Sequence, residues 1–327
     1  MKDVLKTLRF VQGAVAKKDL VPALTHFHIE NGRIQGYNGR IALSAPIELN
    51  VEANPKAAPL VRAISRCEET VQLGLTKTNR LSIKSGKFRS YIDCTDDVSA
   101  HVEPEGKFVD IDGELFIEAL KKLEPLVGQD AARPWSNGIL FRGQSAYATN
   151  NVILAEYWLG SPFPVEVNVP HLAIKEILRL KEPPERFQMA DSSLTVHYSD
   201  GRWLRCTLIA NPWPDIAPVF NVDYSAVQPI PESFFTGLDT LKDFTDKYNR
   251  IVFEPGRMRT HSIDYEEGAA FECDYIQNRS TFTLPMLQKL SGLADKLDLT
   301  AYPNPSPWMG ENIRGVIIGL HWLEGEE

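Results

Sequence analysis

Apolar positions along the chain follow two alternating rules, a helical 3-and-4 spacing and a strand-like alternation, and the pair of rules recurs six times. The helical stretches are Leu5 to Lys17, Ala58 to Glu68, Glu114 to Val127, His171 to Leu180, Glu232 to Phe244 and Leu284 to Leu297. Their starts lie about 50–60 residues apart, and each is followed by a segment that reads as strand. In the first, Leu5, Leu8, Val11 and Val15 make an apolar stripe broken only by Gln12, while Lys2, Lys6 and Arg9 lie on the other side. Asn54 before Pro55, and Thr283 before Pro285, predict an N-cap with a first-turn proline. Asp112 is placed to cap the third helix.

The strands are punctuated by turn dipeptides. Asn31-Gly32 divides two alternating runs, the strongest short hairpin signal, and Asn38-Gly39 marks the next turn. Ser85-Gly86, Asp200-Gly201, Pro255-Gly256 and Glu267-Gly268 repeat the pattern. An α+β fold follows, in which helices with one apolar face cover sheets with one apolar face. Six units pair most simply into three similar domains, 1–108, 109–222 and 223–327. Val98 to Asp110 and Ala210 to Pro231, proline-containing and weakly periodic, read as the linkers. A solenoid fits less well, because linkers fall only at every second unit.

The 327 residues, 43% hydrophobic and 24% charged, fit a globular chain of two or three domains. No apolar run approaches the ~18–20 residues of a membrane span, and the charged start MKDVLKTLRF is not a signal peptide. Cys67, Cys94, Cys206 and Cys273 lie far apart without metal-ligand spacing, as expected of reduced thiols in a cytoplasmic protein.

The net charge of −8 argues against a general nucleic-acid coat. Its distribution alters that picture. By domain the net charges are +4, −4 and −8, and the first helix with its flanks is about +4, from Lys2, Lys6, Arg9, Lys17 and Lys18 against Asp3. Helices sharing one surface would make that surface basic against an acidic remainder, a layout able to hold a phosphate backbone. The fifth helix offers no clear basic stripe.

No motif for catalysis is present: no GxxxxGK[ST], GxGxxG after a strand, HExxH or GxSxG. His26 and His28 face the same way on a strand, but no third ligand is spaced to complete a metal site. Glu266-Glu267 and Asp96-Asp97 sit in turn-like segments, and the six tryptophans are scattered rather than grouped. An enzyme with a site assembled from distant residues has no positive support.

The repeats resemble those of the bacterial sliding clamp, the beta subunit of DNA polymerase III. The likeness spans nearly the whole chain and is best where SNGILF, AYATNNVILAEYWL and VNVPHLAIKEILRL fall in the family's order. NPWPDI sits where the family has a phenylalanine-proline-aspartate turn. VPALTHFHIENGRI, VRAISRCEETVQLGLTKTNRLSIKSGKFRSYI and RGVIIGLHWL match further units, and the third domain matches least. The resemblance implies DNA-clamp domains with helices on one face and sheets on the other. It implies a head-to-tail homodimeric ring around double-stranded DNA that tethers a DNA polymerase and is opened by a clamp-loader ATPase. It implies no catalysis, no cofactor and no metal, in the cytoplasm, or the host cytoplasm for a phage-encoded member, which the shortness of the chain would suit. A clamp-fold scaffold that no longer encircles DNA is the alternative.

Site residues carry over by position. Lys18 lies where the family has a DNA-contacting arginine, and the loop Gln129 to Trp135 matches a DNA-touching loop, with Arg133 and Trp135 as contacts. Pro134 and Trp135 replace the family's adjacent tyrosines there. Helix position adds Lys6, Arg9, Arg62, Arg66, Lys121, Lys122, Lys175 and Arg179 to the lining. The family's partner-peptide groove falls on Thr149, Asn151, Ile153, Leu154, Pro214, Val219, Val316 and Ile318. The family's glycine-histidine-arginine run is Asn151, Val152 and Ile153 here, and LEGEE extends past the usual terminus, so an altered peptide preference is expected.

Overall fold

A computed structural model of the chain describes residues 1–68, 70–98, 101–260 and 268–322. Glu266 and Glu267 and the terminal LEGEE therefore lie outside the described residues. Among the described residues six α-helices appear where the periodicity puts them: α1 (Lys2–Val11), α2 (Ala57–Ile64), α3 (Gly113–Leu123), α4 (His171–Leu180), α5 (Glu232–Leu241) and α6 (Leu284–Gln288). Short 3₁₀ turns finish α1, α3 and α5 and account for the longer spans the sequence suggested there. The sixth span was expected to run to Leu297 but stops at Gln288. Gly292 adopts a left-handed φ of 73°, and Lys296–Leu297 joins a sheet instead.

Capping positions follow the sequence in two cases of three. Asp112 accepts from the backbone amides of Glu114 (2.9 Å) and Leu115 (3.1 Å) at the start of α3. Thr283 is the N-cap of α6 with Pro285 in its first turn, though its side chain makes no cap bond, whereas α2 starts after Lys56 rather than Asn54. Asn54 is held elsewhere, between His28 and the Thr95 carbonyl. At Asn31-Gly32 both residues are left-handed, and the hairpin they close pairs His28–Glu30 with Arg33–Tyr37.

The strands form four antiparallel sheets. In a seven-stranded sheet, His28–Glu30, Arg33–Tyr37 and Ile41–Pro46 continue into Trp203–Thr207, Ser193–His197, Arg186–Ala190 and Lys107–Val109. An eight-stranded sheet runs Val167–Pro170, Gly138–Arg142, Ser145–Thr149, Ile153–Trp158, Ile313–Ile317, Ser306–Gly310, Lys296–Leu297 and Gln228–Pro229. A three-stranded sheet holds Gln72–Leu75, Arg80–Ser85 and Phe88–Asp93, and a four-stranded one Ala270–Glu272, Arg257–Thr260, Arg250–Glu254 and Ser280–Thr283.

Each large sheet thus joins the main strands of two non-adjacent repeats and takes one edge strand from a third. By contact the chain separates into two compact units, 1–117 with 172–209, and 118–171 with 210–327. These units cut across the second expected domain, because its halves are sewn into different sheets. The two expected linkers are also structured. Val98 to Asp110 contains the edge strand Lys107–Val109, and Gln35 bonds both the amide (2.9 Å) and the carbonyl (2.7 Å) of Val102. Ala210 to Pro231 contains two 3₁₀ turns and the strand Gln228–Pro229.

In the first unit, Leu8 and Val11 of α1 are fully buried, as are Ile34 and Leu43 of the sheet beneath. Burial of each such side chain is worth about 1.5–3 kcal/mol. Gly36 permits the close approach, since a Cβ there would stand 2.9 Å from the Val11 carbonyl oxygen. In the second unit, Phe141, Ala155, Tyr157 and Trp308 are buried from the eight-stranded sheet, and Phe234 and Leu238 of α5 are buried near the four-stranded one. All four cysteines are free thiols, two of them buried. Among the described residues no helix is long and apolar enough to cross a membrane.

Candidate functional site

The eight-stranded sheet of the second unit presents one face whose composition follows from strand alternation. Residues paired directly across antiparallel strands share a face. One row pairs Thr149 with Leu154 and Leu154 with Val316. The adjacent row pairs Leu140 with Tyr147, Tyr147 with Glu156, and Glu156 with Arg314. An apolar row therefore lies beside a polar one. Over them folds the segment that read as a linker, so that Leu140, Leu154, Trp213 and Val316 form a buried cluster with Trp135, Tyr147, Ile216, Phe220 and Val222 packed against it.

Beside this cluster an open cleft is lined by Arg142, Tyr147, Glu156, Asp215, Ile216, Phe220 and Arg314. Glu156 is its electrostatic centre. It accepts from Ser145 (2.8 Å), Tyr147 (2.9 Å) and Arg314 (2.7 Å). Burial pushes the Glu156 carboxyl up, but the bonds from Ser145, Arg314 and Tyr147 outweigh it and hold the group below its ordinary value. Burial, then the nearby Glu156 charge, raises the Tyr147 phenol, so it stays a donor. Arg314 also lies over Phe220 (5.5 Å) and Tyr224 (5.4 Å). Arg142 is held separately by a two-point pair with Glu166 (2.8 and 2.9 Å).

Of the expected groove positions, Leu154 and Val316 line this face and are nearly buried, and Ile318 (43% exposed) continues the same parity beyond the strand. Pro214 and Val219 are exposed on the covering segment. Thr149 lies in the row but spends its hydroxyl on the turn, donating to the Ile153 carbonyl (2.7 Å). Asn151 sits in that turn at φ 69°, a left-handed conformation that glycine adopts freely and asparagine tolerates. Ile153 does not belong to the groove. It alternates with Leu154 onto the opposite face, pairs with Ile317 and is fully buried. Tyr157 has the same parity, and its phenol meets Glu118 of α3.

Trp135, expected at DNA, packs against the cluster of Leu140, Leu154, Trp213 and Val316. Its 3₁₀ turn (Pro134–Ser136) is fixed by Asn168, whose side chain donates to the Trp135 carbonyl (2.8 Å), and its indole packs edge to face on Trp213. The tryptophans are thus not all scattered. Arg133, two residues away, is exposed and only 4.0 Å from Asp130 at its nearest.

The other expected DNA contacts are placed as follows. Lys6 and Arg9 on α1, Arg62 on α2, Arg66 just after it, Lys121 on α3 and Lys175 on α4 are exposed, as is Lys18 in the loop after α1. Lys122 is half-buried. Arg179 is already engaged. It pairs with Glu176 (2.7 Å) and donates to the Phe10 carbonyl at the end of α1 (3.1 Å). His26 and His28 gain a neighbour the sequence did not indicate, for the ring of His101 stands 4.6 Å from that of His28. Among the described residues no three His, Cys, Asp or Glu side chains gather as metal ligands.

No protein-family model and no curated protein sequence matches the chain. Solved structures do. The DNA polymerase sliding clamp of Caulobacter crescentus superposes with a TM-score of 0.82 at 18% identity, covering 97% of each chain. The fold is that of the bacterial sliding clamp. The Bacillus subtilis sliding clamp gives 0.82 at 16% identity over 98% of each chain. A Helicobacter pylori beta clamp, solved bound to a DNA ligase peptide, gives 0.81 at 16% over 98% of each. Identity this low explains why sequence comparison is silent while the clamp fold is retained end to end. Sequence reasoning missed Leu140, Tyr147, Glu156, Trp213, Ile216, Phe220 and Arg314. The available signal was NPWPDI, an aromatic between prolines where a linker needs none.

Proposed function

We propose that this protein is a DNA sliding clamp, a non-enzymatic processivity factor that encircles duplex DNA and tethers a replicative DNA polymerase. The observation that carries the reading is the clamp fold, matched over 97–98% of the chain. Two copies close head to tail into a ring, a clamp-loader ATPase opens it, and the reading includes no cofactor and no catalytic step.

Three features support it. The cations Lys6, Arg9, Lys18, Arg62, Arg66, Lys121, Arg133 and Lys175 are exposed, as weak phosphate contacts during sliding require. The strand Gln72–Leu75 ends one sheet and Ala270–Glu272 ends another among the described residues, so each offers an edge for pairing. Residues 1–108, which hold the first edge, are at net +4 and residues 223–327, which hold the second, at net −8, charges of opposite sign for a head-to-tail contact. The open cleft beside the Leu154, Val316 and Trp213 cluster, with Tyr147, Ile216 and Phe220 in its lining, suits a short peptide with apolar anchors, and the Helicobacter clamp was solved bound to a DNA ligase peptide.

The test is topological. Loaded on nicked circular DNA, the protein should persist on the circle and slide off once the circle is cut. Retention on the linear form, or a monomer by light scattering at micromolar concentration, would leave a non-encircling scaffold instead. K6E with K18E should weaken DNA-dependent polymerase stimulation.

A further inference from the structure

Arg80–Ser85 is flanked by Gln72–Leu75 and Phe88–Asp93 in the three-stranded sheet. Leu81, Ile83 and Ile92 are buried on one side of it. Alternation puts Arg80, Ser82 and Lys84 on the other side, with Arg89, Tyr91 and Asp93 opposite them and Gln72 and Gly74 beyond. The centre of this outer face is an aromatic ring with a low floor. Tyr91 is 60% exposed and pairs with Ser82, and Ser82 pairs with Gly74, whose missing side chain would meet nothing within 4 Å. One strand step away, about 7 Å, Lys84 pairs with Arg89. Both are exposed and neither has an ion pair among the described residues. Lys87, at the hairpin joining their strands, adds a third exposed cation. At the other end Arg80 is held by Asp93 (3.0 Å).

We propose that this outer face binds single-stranded nucleic acid, with one base stacked on Tyr91 and the adjoining phosphates on Lys84, Lys87 and Arg89. The chemistry favours a single strand over other polyanions. An acidic peptide needs the cations but has no use for an uncovered ring beside a serine and a glycine. A duplex offers phosphates, but its bases are already stacked. Residues 72–93 hold five basic side chains and one acidic, while the whole chain is at −8, so a strand is drawn to this patch and repelled by the acidic remainder. The face lies out of the plane of the sheet, so pairing along the Gln72–Leu75 edge leaves it open. It involves neither the groove nor the cations assigned to duplex DNA.

The experiment is fluorescence anisotropy of the intact protein with a labelled oligothymidylate of about 15 nucleotides at low salt. Y91A should weaken binding by about tenfold, Y91F by less than about twofold, and K84E with R89E by more than about tenfold. Oligoglutamate of equal charge should not compete. Unchanged affinity in Y91A would overturn the proposal, as would effective competition by oligoglutamate, which would make the face an acidic-protein site. If K6E with K18E abolishes binding while K84E with R89E does not, the strand sits on the helices and the proposal fails. If K84E with R89E lowers the dimer mass in light scattering while the strand still binds normally, the face serves ring closure instead.

Discussion

The indole of Trp135 meets that of Trp213 edge to face, with ring centroids 5.0 Å apart and planes inclined by 61°. One ring comes from the loop before the strand Gly138–Arg142 and the other from the segment after Trp203–Thr207, so the pair closes the groove from two directions. Edge-to-face pairs of this kind are worth about 0.5–1.5 kcal/mol beyond burial. W135A should therefore cost about 1–2 kcal/mol in denaturant unfolding and weaken binding of a partner peptide by about tenfold. Retention on closed circular DNA should be unaffected. Lost retention with intact peptide binding would return Trp135 to the DNA.

Glu156 gives a pH signature. Its pKa is depressed in the folded state, so the stability it contributes is present above the ordinary carboxylate value of 4.5 and is lost as pH falls through the folded value. E156Q leaves Arg314 without its charge partner and should lower stability by about 1–3 kcal/mol at neutral pH. The gap between E156Q and the parent should narrow on acidification below about 4.5. A gap constant from neutral pH to pH 3 would assign the destabilisation to packing.

Arg179 separates a cation engaged in the fold from those proposed to touch DNA. Its guanidinium binds Glu176 and the Phe10 carbonyl at the end of α1, adding a second donor to a carbonyl that already accepts a backbone N–H of the cap. R179A should cost about 0.5–1 kcal/mol in stability, discounted for its partial exposure, while K175A costs nothing measurable. In polymerase stimulation the order should reverse, with K175A the more damaging. Thermal melts alongside a primer-extension assay distinguish the two.

Gly315 holds the groove sheet in register. A Cβ there would lie 2.4 Å from both the Leu154 carbonyl oxygen and the Trp308 ring. G315A should destabilise by about 3 kcal/mol and abolish peptide binding, because Arg314 and Val316 move with the strand. Wild-type melting of G315A would mean the strand can shift without loss.

Legibility of the sequence follows the range of each interaction. Helix starts were readable because capping and apolar spacing are local, as at Asp112 and through α4, whose limits agree residue for residue. Leu154 and Val316 were named by resemblance and lie under the covering segment, but that Ile153 beside Leu154 turns to the opposite face could not be read. In a sheet apolar on both sides, adjacent apolar residues give no parity signal. Glu156 and Arg314 were invisible as a pair, being 158 positions apart. The covering segment Ala210 to Pro231 lacks periodicity since its shape is set by the sheet it lies on. That absence made the groove wall read as a linker.

The interleaved sheets also set an order of events at the ribosome. Arg33 reaches the carbonyl of Gly201 across 168 positions, and Ile41–Pro46 waits for Trp203–Thr207 as its neighbour. Residues 1–108 can emerge and form their helices, yet one edge of their sheet stays unpaired until residue 207 has left the exit tunnel. The same delay recurs between Ile153–Trp158 and Ile313–Ile317. During synthesis the nascent chain therefore carries an exposed strand edge, first one and then the other.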